Sequence, residues 1–389
     1  MASVRSGMDY IYDRLKVAGP ITVADYMKEC LISPLTGYYM QKDVFGAKGD
    51  YTTSPEISQI FGELLAVWVL ADWMVNNEDK PFQLVELGPG RGTLSKDILR
   101  VFGQFKQTHQ KVSLHLIEMS PAMSRLQEET LTGNKSTSAP SAELISPYKS
   151  CTLASGVEVH WYLSVKDVPK GLSYFIAHEF FDALPVHQFM KTPQGWREVM
   201  VDRDLTAAEG EEVGKALRFV LAPGPTLASS NFSHLLPEGA EQGELCLEGM
   251  SLVTELAERV RDHGGGALIA DYGETEIKKH TLRSFKQHQA HDVLKEPGTA
   301  DLTADVNYGV IQKVVSAVGV GCHGPMNQNK FLHKMGIRRR LEVLLQKATP
   351  TQAKDLLSGY EMLTHPEQMG TRYKFLALTP SSQHIPTPF

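Results

Sequence analysis

The sequence predicts an α/β fold built on a doubly wound, largely parallel, Rossmann-like sheet. Three observations carry this. Apolar strand-like runs at 82–87, 112–117, 174–177 and 267–270 each finish beside an acid (Glu86, Glu118, Glu179, Asp271). Helical patterns separate the runs, so the first half reads strand, helix, strand, acid, helix. Between 185 and 248 the pattern changes to short alternating strands and loops, which marks an insertion into the core.

The elements follow in order. Residues 1–45 form an N-terminal helical segment, with an amphipathic helix from about residue 10, a turn at Gly19-Pro20 and a second helix through Met27. Residues 46–184 are the first part of the core. Ser54-Pro55 reads as N-cap and first helical residue, with Thr53 and Glu56 as an alternative capping box. The helix after it carries Ile57, Ile60, Phe61, Leu64, Leu65 and Trp68 on one face. It packs on the sheet, or its N-terminus aims backbone N–H groups at an anion such as a cofactor carboxylate. Phe82–Leu87 is a buried strand, followed by a glycine turn and a helix. Val112–Ile117 is a second strand, and Ser120-Pro121 caps the next helix. Asn134–Ser150 reads as a long surface loop, Val157–Leu163 as a strand, and Tyr174–Ala177 as a further buried one. In 185–248, Val186–Met190 and Trp196–Val201 make a hairpin across 192–195, and Leu217–Leu221 adds a strand over the substrate side. Residues 249–389 complete the core. A helix stopped by Gly264-Gly265-Gly266 leads to the strand 267–270. A largely looped stretch over 274–305, helices near 306–318 and 330–347, and a closing strand Tyr373–Leu378 follow.

Composition narrows the function. With 42% hydrophobic and 22% charged residues among 389, the chain buries an ordinary core. A net charge of −6 argues against a nucleic-acid partner held by bulk electrostatics. Four scattered cysteines without a C-x-x-C pair fit a reducing compartment and give no metal framework. The longest apolar run, Leu64–Ala71, is far short of the roughly 20 residues of a membrane span. Met1–Tyr12 has no apolar core and predicts neither a secretory signal nor a transit peptide.

The chemistry centres on Glu86-Leu87-Gly88-Pro89-Gly90-Arg91-Gly92. Gly88 and Gly90 let a ligand approach the backbone and tolerate positive φ. In a dinucleotide fingerprint the third glycine would fall at 93, which is Thr93, while Gly92 comes one residue early. The spacing therefore favours S-adenosylmethionine (SAM) over NAD. Glu118, at the end of the second strand, is placed to accept ribose hydroxyls, a feature both cofactors share. Glu179 and Asp182 follow the next buried strand of the core, beside the expected methyl donor. Two carboxylates there suit a planar cation such as a guanidinium, held by paired N–H···O bonds. The competing reading has one acid capping a helix and the other paired with a basic side chain. His178, Asp271, Tyr272, His291 and Asp292 are further candidates for the acceptor pocket. No catalytic triad or metal-ligand spacing appears, and methyl transfer from a sulfonium needs alignment above all.

Gly49-Asp50-Tyr51-Thr52-Thr53-Ser54-Pro55-Glu56-Ile57-Ser58, the 85–94 glycine motif, His178-Glu179-Phe180-Phe181-Asp182-Ala183-Leu184-Pro185-Val186 and Pro297-Gly298-Thr299-Ala300-Asp301-Leu302-Thr303 together resemble the MidA family, over about residues 16–378. The resemblance implies a class I SAM-dependent methyltransferase fold. The residues themselves mark Thr53, Ser54, Glu86, Gly88, Gly90, Gly92 and Glu118 as candidate cofactor contacts, with Glu179 and Asp182 inferred at the acceptor. The resemblance also implies methylation of an arginine in a core subunit of respiratory complex I. The product would be symmetric dimethylarginine, in the mitochondrial matrix, during complex assembly. A SAM-binding assembly chaperone whose catalysis is dispensable is the alternative, and a small-molecule methyltransferase a weaker third.

Overall fold

The computed structural model describes residues 5–41, 53–77, 80–135, 146–205 and 216–389. The Gly49–Thr52 part of the first motif, the centre of the 134–150 stretch and the 206–215 part of the insertion lie outside the described residues.

The main sheet runs in the order 321–327, 373–379, 265–274, 173–178, 82–87, 112–117, 158–162, 149–152, with Val306–Asn307 pairing at the far end of 265–274. Its five central strands are parallel. The 373–379 strand lies antiparallel between its two neighbours, and Lys149–Thr152 closes the other edge antiparallel. The chain enters at the middle, on Phe82–Leu87. It winds outward through 112–117 and 158–162, then returns to 173–178 on the opposite side. The winding reverses between 82–87 and 173–178, whose registers place Leu87 beside Ala177. A crevice at the carboxyl ends of those two strands is where such sheets bind ligands.

Both faces of the central strands are covered, which is why they read as near-continuous apolar runs. On one face Phe61, Leu65 and Trp68 of helix Gln59–Asn76 pack with Leu84, Tyr174, Ile176 and Leu268. On the other, Leu256 and Val260 of helix Leu247–His263 and Ile311 of helix Tyr308–Val318 pack with Val85, Leu87, Phe175 and Ile269. Each such fully buried side chain contributes about 1.5–3 kcal/mol.

A second sheet of five strands joins Ile21–Thr22, Gly195–Asp204, His187–Thr192, Gln242–Leu245 and Ala216–Leu221. The predicted hairpin forms, with Thr192 paired to Gly195. Helices Gly7–Ala18 and Val23–Ile32 share a core with this sheet, through Ile11, Leu15, Tyr26 and Met27 against Val186, Val199 and Val201.

Four expectations need correction. The long helix starts at Gln59 rather than at Ser54-Pro55. Ser58 is extended (φ −157°, ψ 130°), and its hydroxyl accepts the Ile60 N–H at 3.3 Å, so Ser54–Ile57 is a separate single turn. Thr53 and Glu56 do not form a capping box: Thr53 makes no side-chain cap bond, and the Glu56 carboxylate turns to the Thr93 hydroxyl at 2.5 Å. The 274–305 stretch contains the strands Arg283–Lys286, Gln289–His291 and Asp301–Thr303. They were hidden because the first hairpin turns on Gln287 and His288, both left-handed (φ 51° and 61°), not on glycine or asparagine. Finally, 330–347 breaks at Gly336 into Gln328–Lys334 and Ile337–Leu345, and the strand Gly321–Asn327 and helix Pro350–Thr364 join them.

Candidate active site

The glycine turn closes the middle strand. Gly88, Gly90 and Gly92 all have left-handed backbones (φ 63°, 51° and 81°). An L-residue pays roughly 1–2 kcal/mol for that conformation. Gly88 is constrained twice, because an added Cβ would lie 2.6 Å from Cδ2 of Phe180. Glu86 accepts hydrogen bonds from the Ser95 hydroxyl and amide, so it pins the first turn of helix Thr93–Phe102 to the strand. Its burial pushes its carboxyl up to about 7. An open cleft lies over the turn, lined by Thr53, Glu86, Gly88, Gly90, His178 and Glu179 among others.

Glu118 follows the neighbouring strand. Its carboxylate accepts the Ser120 N–H at 2.7 Å and the Gln127 side-chain amide at 2.8 Å, and burial pushes it up to about 7. Gln127 was not foreseen. Its Nε2 also donates to the Gly90 carbonyl at 2.8 Å, and its Oε1 accepts from the Trp161 indole at 2.9 Å. One buried amide thus ties the glycine turn to the acid. Only its polarity on the inward face of helix Pro121–Thr132 could have signalled it. Gln127→Leu is expected to weaken S-adenosylhomocysteine (SAH) binding about tenfold, the ~1.4 kcal/mol of one charge-assisted bond. Calorimetry that finds unchanged affinity would separate Gln127 from the cradle.

Across the crevice, Glu179 stands at φ 48°, with its N–H donating to the Ala270 carbonyl at 3.0 Å. Glu179 Oε1 accepts the Ser54 N–H at 3.3 Å and lies 3.2 Å from His178 Nε2, and the Tyr373 hydroxyl also bonds this carboxylate. The N-terminal turn at Ser54 therefore does aim an N–H at a carboxylate, and that carboxylate is Glu179. Burial, then the nearby Asp182 charge, pushes Glu179 up to about 8. His178 is buried against Phe61 (ring centroids 4.8 Å apart), and burial pulls it down to about 3, which leaves it neutral.

Asp182 sits in the turn Phe181–Ala183. Its Oδ2 accepts from the Tyr272 hydroxyl and from Thr303 Oγ1 at 2.7 Å. Its Oδ1 is buried without a hydrogen-bond partner. Asp271 and Tyr272 thus join this cluster, behind the Glu179–Asp182 pair. His291 and Asp292 do not. His291 lies in the 289–291 strand, 3.8 Å from Glu296, and Asp292 caps its own loop by accepting the Leu294 N–H at 2.9 Å.

The cleft suits SAM by its own features. The left-handed turn leaves the backbone open to a ligand; Ser54, Gly92 and Glu118 are not among the cleft's lining residues, the Ser54 hydroxyl being buried without a partner and Glu118 tied to Gly90 through Gln127. Three carboxyls raised to about 7 or 8 have a further consequence. Below about pH 6.5 the buried neutral His178 and His115, pulled down to about 3, oppose them; between about pH 6.5 and 8 the carboxyls dominate, the folded, ligand-free protein holds the extra protons, and stability falls as pH rises through that window. Melting temperatures taken from pH 6.5 to 8 should decline, and a flat profile there would remove these carboxyls as titrating sites.

A sheet wound in this order, with a glycine turn at its reversal point and an acid on the next strand, is that of a Rossmann-like class I methyltransferase. A family model described as "Putative S-adenosyl-L-methionine-dependent methyltransferase" matches residues 64–326. A mitochondrial protein arginine methyltransferase, NDUFAF7, of Mus musculus is 49% identical over 370 residues, covering 94% of this chain and 83% of that protein. The Danio rerio protein of the same name is 46% identical over 376 residues, covering 96% and 87%. A Burkholderia thailandensis structure, a candidate methyl transferase bound to SAH, superposes with a TM-score of 0.75 at 23% identity, covering 96% of this chain and 91% of that one. The chain belongs to the MidA family of SAM-dependent methyltransferases. Among the described residues, no helix is long and apolar enough to cross a membrane.

Proposed function

We propose that the chain methylates an arginine of a protein substrate, with Glu179 and Asp182 holding the guanidinium. The observation that carries this is a buried carboxylate oxygen, Asp182 Oδ1, left without a partner beside Glu179 at the reversal point of the sheet. A guanidinium offers donors to both acids and adds positive charge beside carboxylates that the chain's own Arg283 offsets only in part. The names of the relatives, protein arginine methyltransferases, support the same acceptor.

When bound, SAM supplies a methyl group already activated on a sulfonium. Thr53, Ser54, Gly88, Gly90, Gly92 and Glu118 would hold it, with Glu86 fixing the helix behind the turn. Glu179 and Asp182 orient one terminal guanidinium nitrogen toward the methyl carbon. One of the two carboxylates would take up the proton that this nitrogen loses on methylation. In this reading the chain has an N-terminal helical segment, 1–45, a donor-binding core, 46–184 and 249–389, and an inserted part on the acceptor side, 185–248. Its finer part follows the MidA resemblance and the relatives' mitochondrial names: a core subunit of respiratory complex I, symmetric dimethylation, and action in the mitochondrial matrix during assembly.

The test is mass spectrometry of complex I subunits incubated with the protein and isotopically labelled SAM. Label on an arginine supports the proposal. Label on lysine or a carboxylate overturns the acceptor, and no label alongside tight SAM binding favours the chaperone alternative.

A further inference from the structure

Glu179 and Asp182 are held by something other than their own packing. They lie outside the sheet, on a short segment whose first residue has a left-handed backbone (φ 48° at Glu179). A side chain there needs an external constraint to stay put. Asp271, wholly buried on the neighbouring strand, supplies one. Its Oδ2 accepts three consecutive amides, from Phe180 at 3.1 Å, Phe181 at 3.0 Å and Asp182 at 3.2 Å. Its Oδ1 accepts the Tyr272 N–H at 2.9 Å, which fixes the carboxylate plane. Tyr308 in turn anchors the Asp271 backbone, its hydroxyl accepting the Asp271 N–H at 3.1 Å and donating to the Asp271 carbonyl at 2.9 Å.

The geometry points to Asp271 as a positioning residue for the methyl acceptor: one buried carboxylate clamps amides 180–182 and so sets the spacing between Glu179 and Asp182. This rests on reading those two acids as the acceptor-binding pair. Asp271 itself is turned to the backbone, so it shapes the site without touching the substrate. The neighbouring residues divide the work. Tyr272 and Thr303 fix the carboxylate of Asp182 by occupying Oδ2, leaving Oδ1 for the acceptor. Asp271 fixes the segment on which both acids ride. An asparagine at 271 keeps the volume, yet it cannot present two acceptor oxygens to four amides.

The test combines amide hydrogen exchange with transfer to an arginine peptide from SAM. In the wild-type protein, amides 180–182 should exchange as slowly as those of the central strands, although they lie in a loop. Asp271→Asn should lose that protection and slow transfer about 100-fold, mainly in kcat, as expected when a reacting pair is displaced by about 1 Å. SAH affinity should stay within a factor of two or so, since the glycine turn is untouched. Thr303→Val should slow transfer while amides 180–182 remain protected. Fast exchange in the wild-type protein would overturn the clamp, and this arm does not depend on the variant folding. Unaltered exchange and transfer in Asp271→Asn, or a parallel loss of SAH binding, would also overturn it. If the wild-type protein fails to methylate the arginine peptide, the acceptor assignment fails, while the exchange measurements still decide the role of Asp271.

Discussion

Glu179→Gln is expected to slow methyl transfer to arginine about 10³-fold or more, the scale seen when one oriented polar group is removed from a transition-state site. SAH affinity should remain within about a factor of two, because the nucleoside side of the cradle is built from Gly90, Gln127 and Glu118. The substitution keeps the acceptor for the Ser54 amide and removes the charge that a guanidinium needs. The pH profile gives a second, independent readout. Burial and Asp182 raise the Glu179 carboxyl to about 8 in the free protein. Only the ionised form accepts two N–H donors and takes up a proton, so wild-type kcat/KM should climb with pH until about 8 and then level. The variant should lack that limb. If Glu179→Gln retained a tenth of wild-type turnover, the carboxylate would have no part in the reaction.

The positions of the glycine turn, Glu118 and the Glu179–Asp182 pair at strand ends, within the strand–helix alternation of the first half, were legible for one reason. Each follows a fully buried strand, and buried strands give the strongest pattern in a sequence. The elements that support them were not. Gln127, and the clamping role of Asp271 (expected only as an acceptor-pocket residue), rest on hydrogen bonds to partners 37 and 89 to 91 residues away, and no local pattern records such contacts. Glu179 has the left-handed backbone usually assigned to glycine or asparagine, so its strain is invisible until the segment is seen folded. Glu86 was expected at the cofactor. The structure shows it as the peg for the Ser95 turn, a role that spacing alone cannot separate from a cofactor contact. His291 and Asp292 looked like site residues because they are polar and follow the 265–274 strand. The short hairpin at Gln287-His288 carries them into contacts of their own.

Gly90→Val should abolish measurable SAH binding, a loss of more than about 100-fold, in a protein that still folds. Gly90 has φ 51°, a region that a β-branched residue enters only at a cost of roughly 1–2 kcal/mol or more. Part of that strain is relieved by rotating the peptide. Rotation moves the Gly90 carbonyl away from Gln127 Nε2, now at 2.8 Å, and Gln127 also holds Glu118. One substitution therefore disturbs both the turn proposed to carry the cofactor and Glu118, the acid proposed for its ribose. The apolar core behind the turn contains Leu84, Val85 and Leu87, all fully buried, and does not depend on the residue at 90. A fall of a few degrees in melting temperature is the expected cost to stability, about 2–4 °C per kcal/mol for a large domain. Gly92→Ala is the contrasting case. Its φ of 81° carries the same backbone strain, but an added Cβ meets Gln127 Cα at 3.4 Å, an ordinary contact. That variant should lose about 1 kcal/mol of stability and bind SAH within roughly tenfold of wild type. If Gly90→Val bound as tightly as Gly92→Ala, the approach of the ligand to the turn would lie elsewhere than at residue 90.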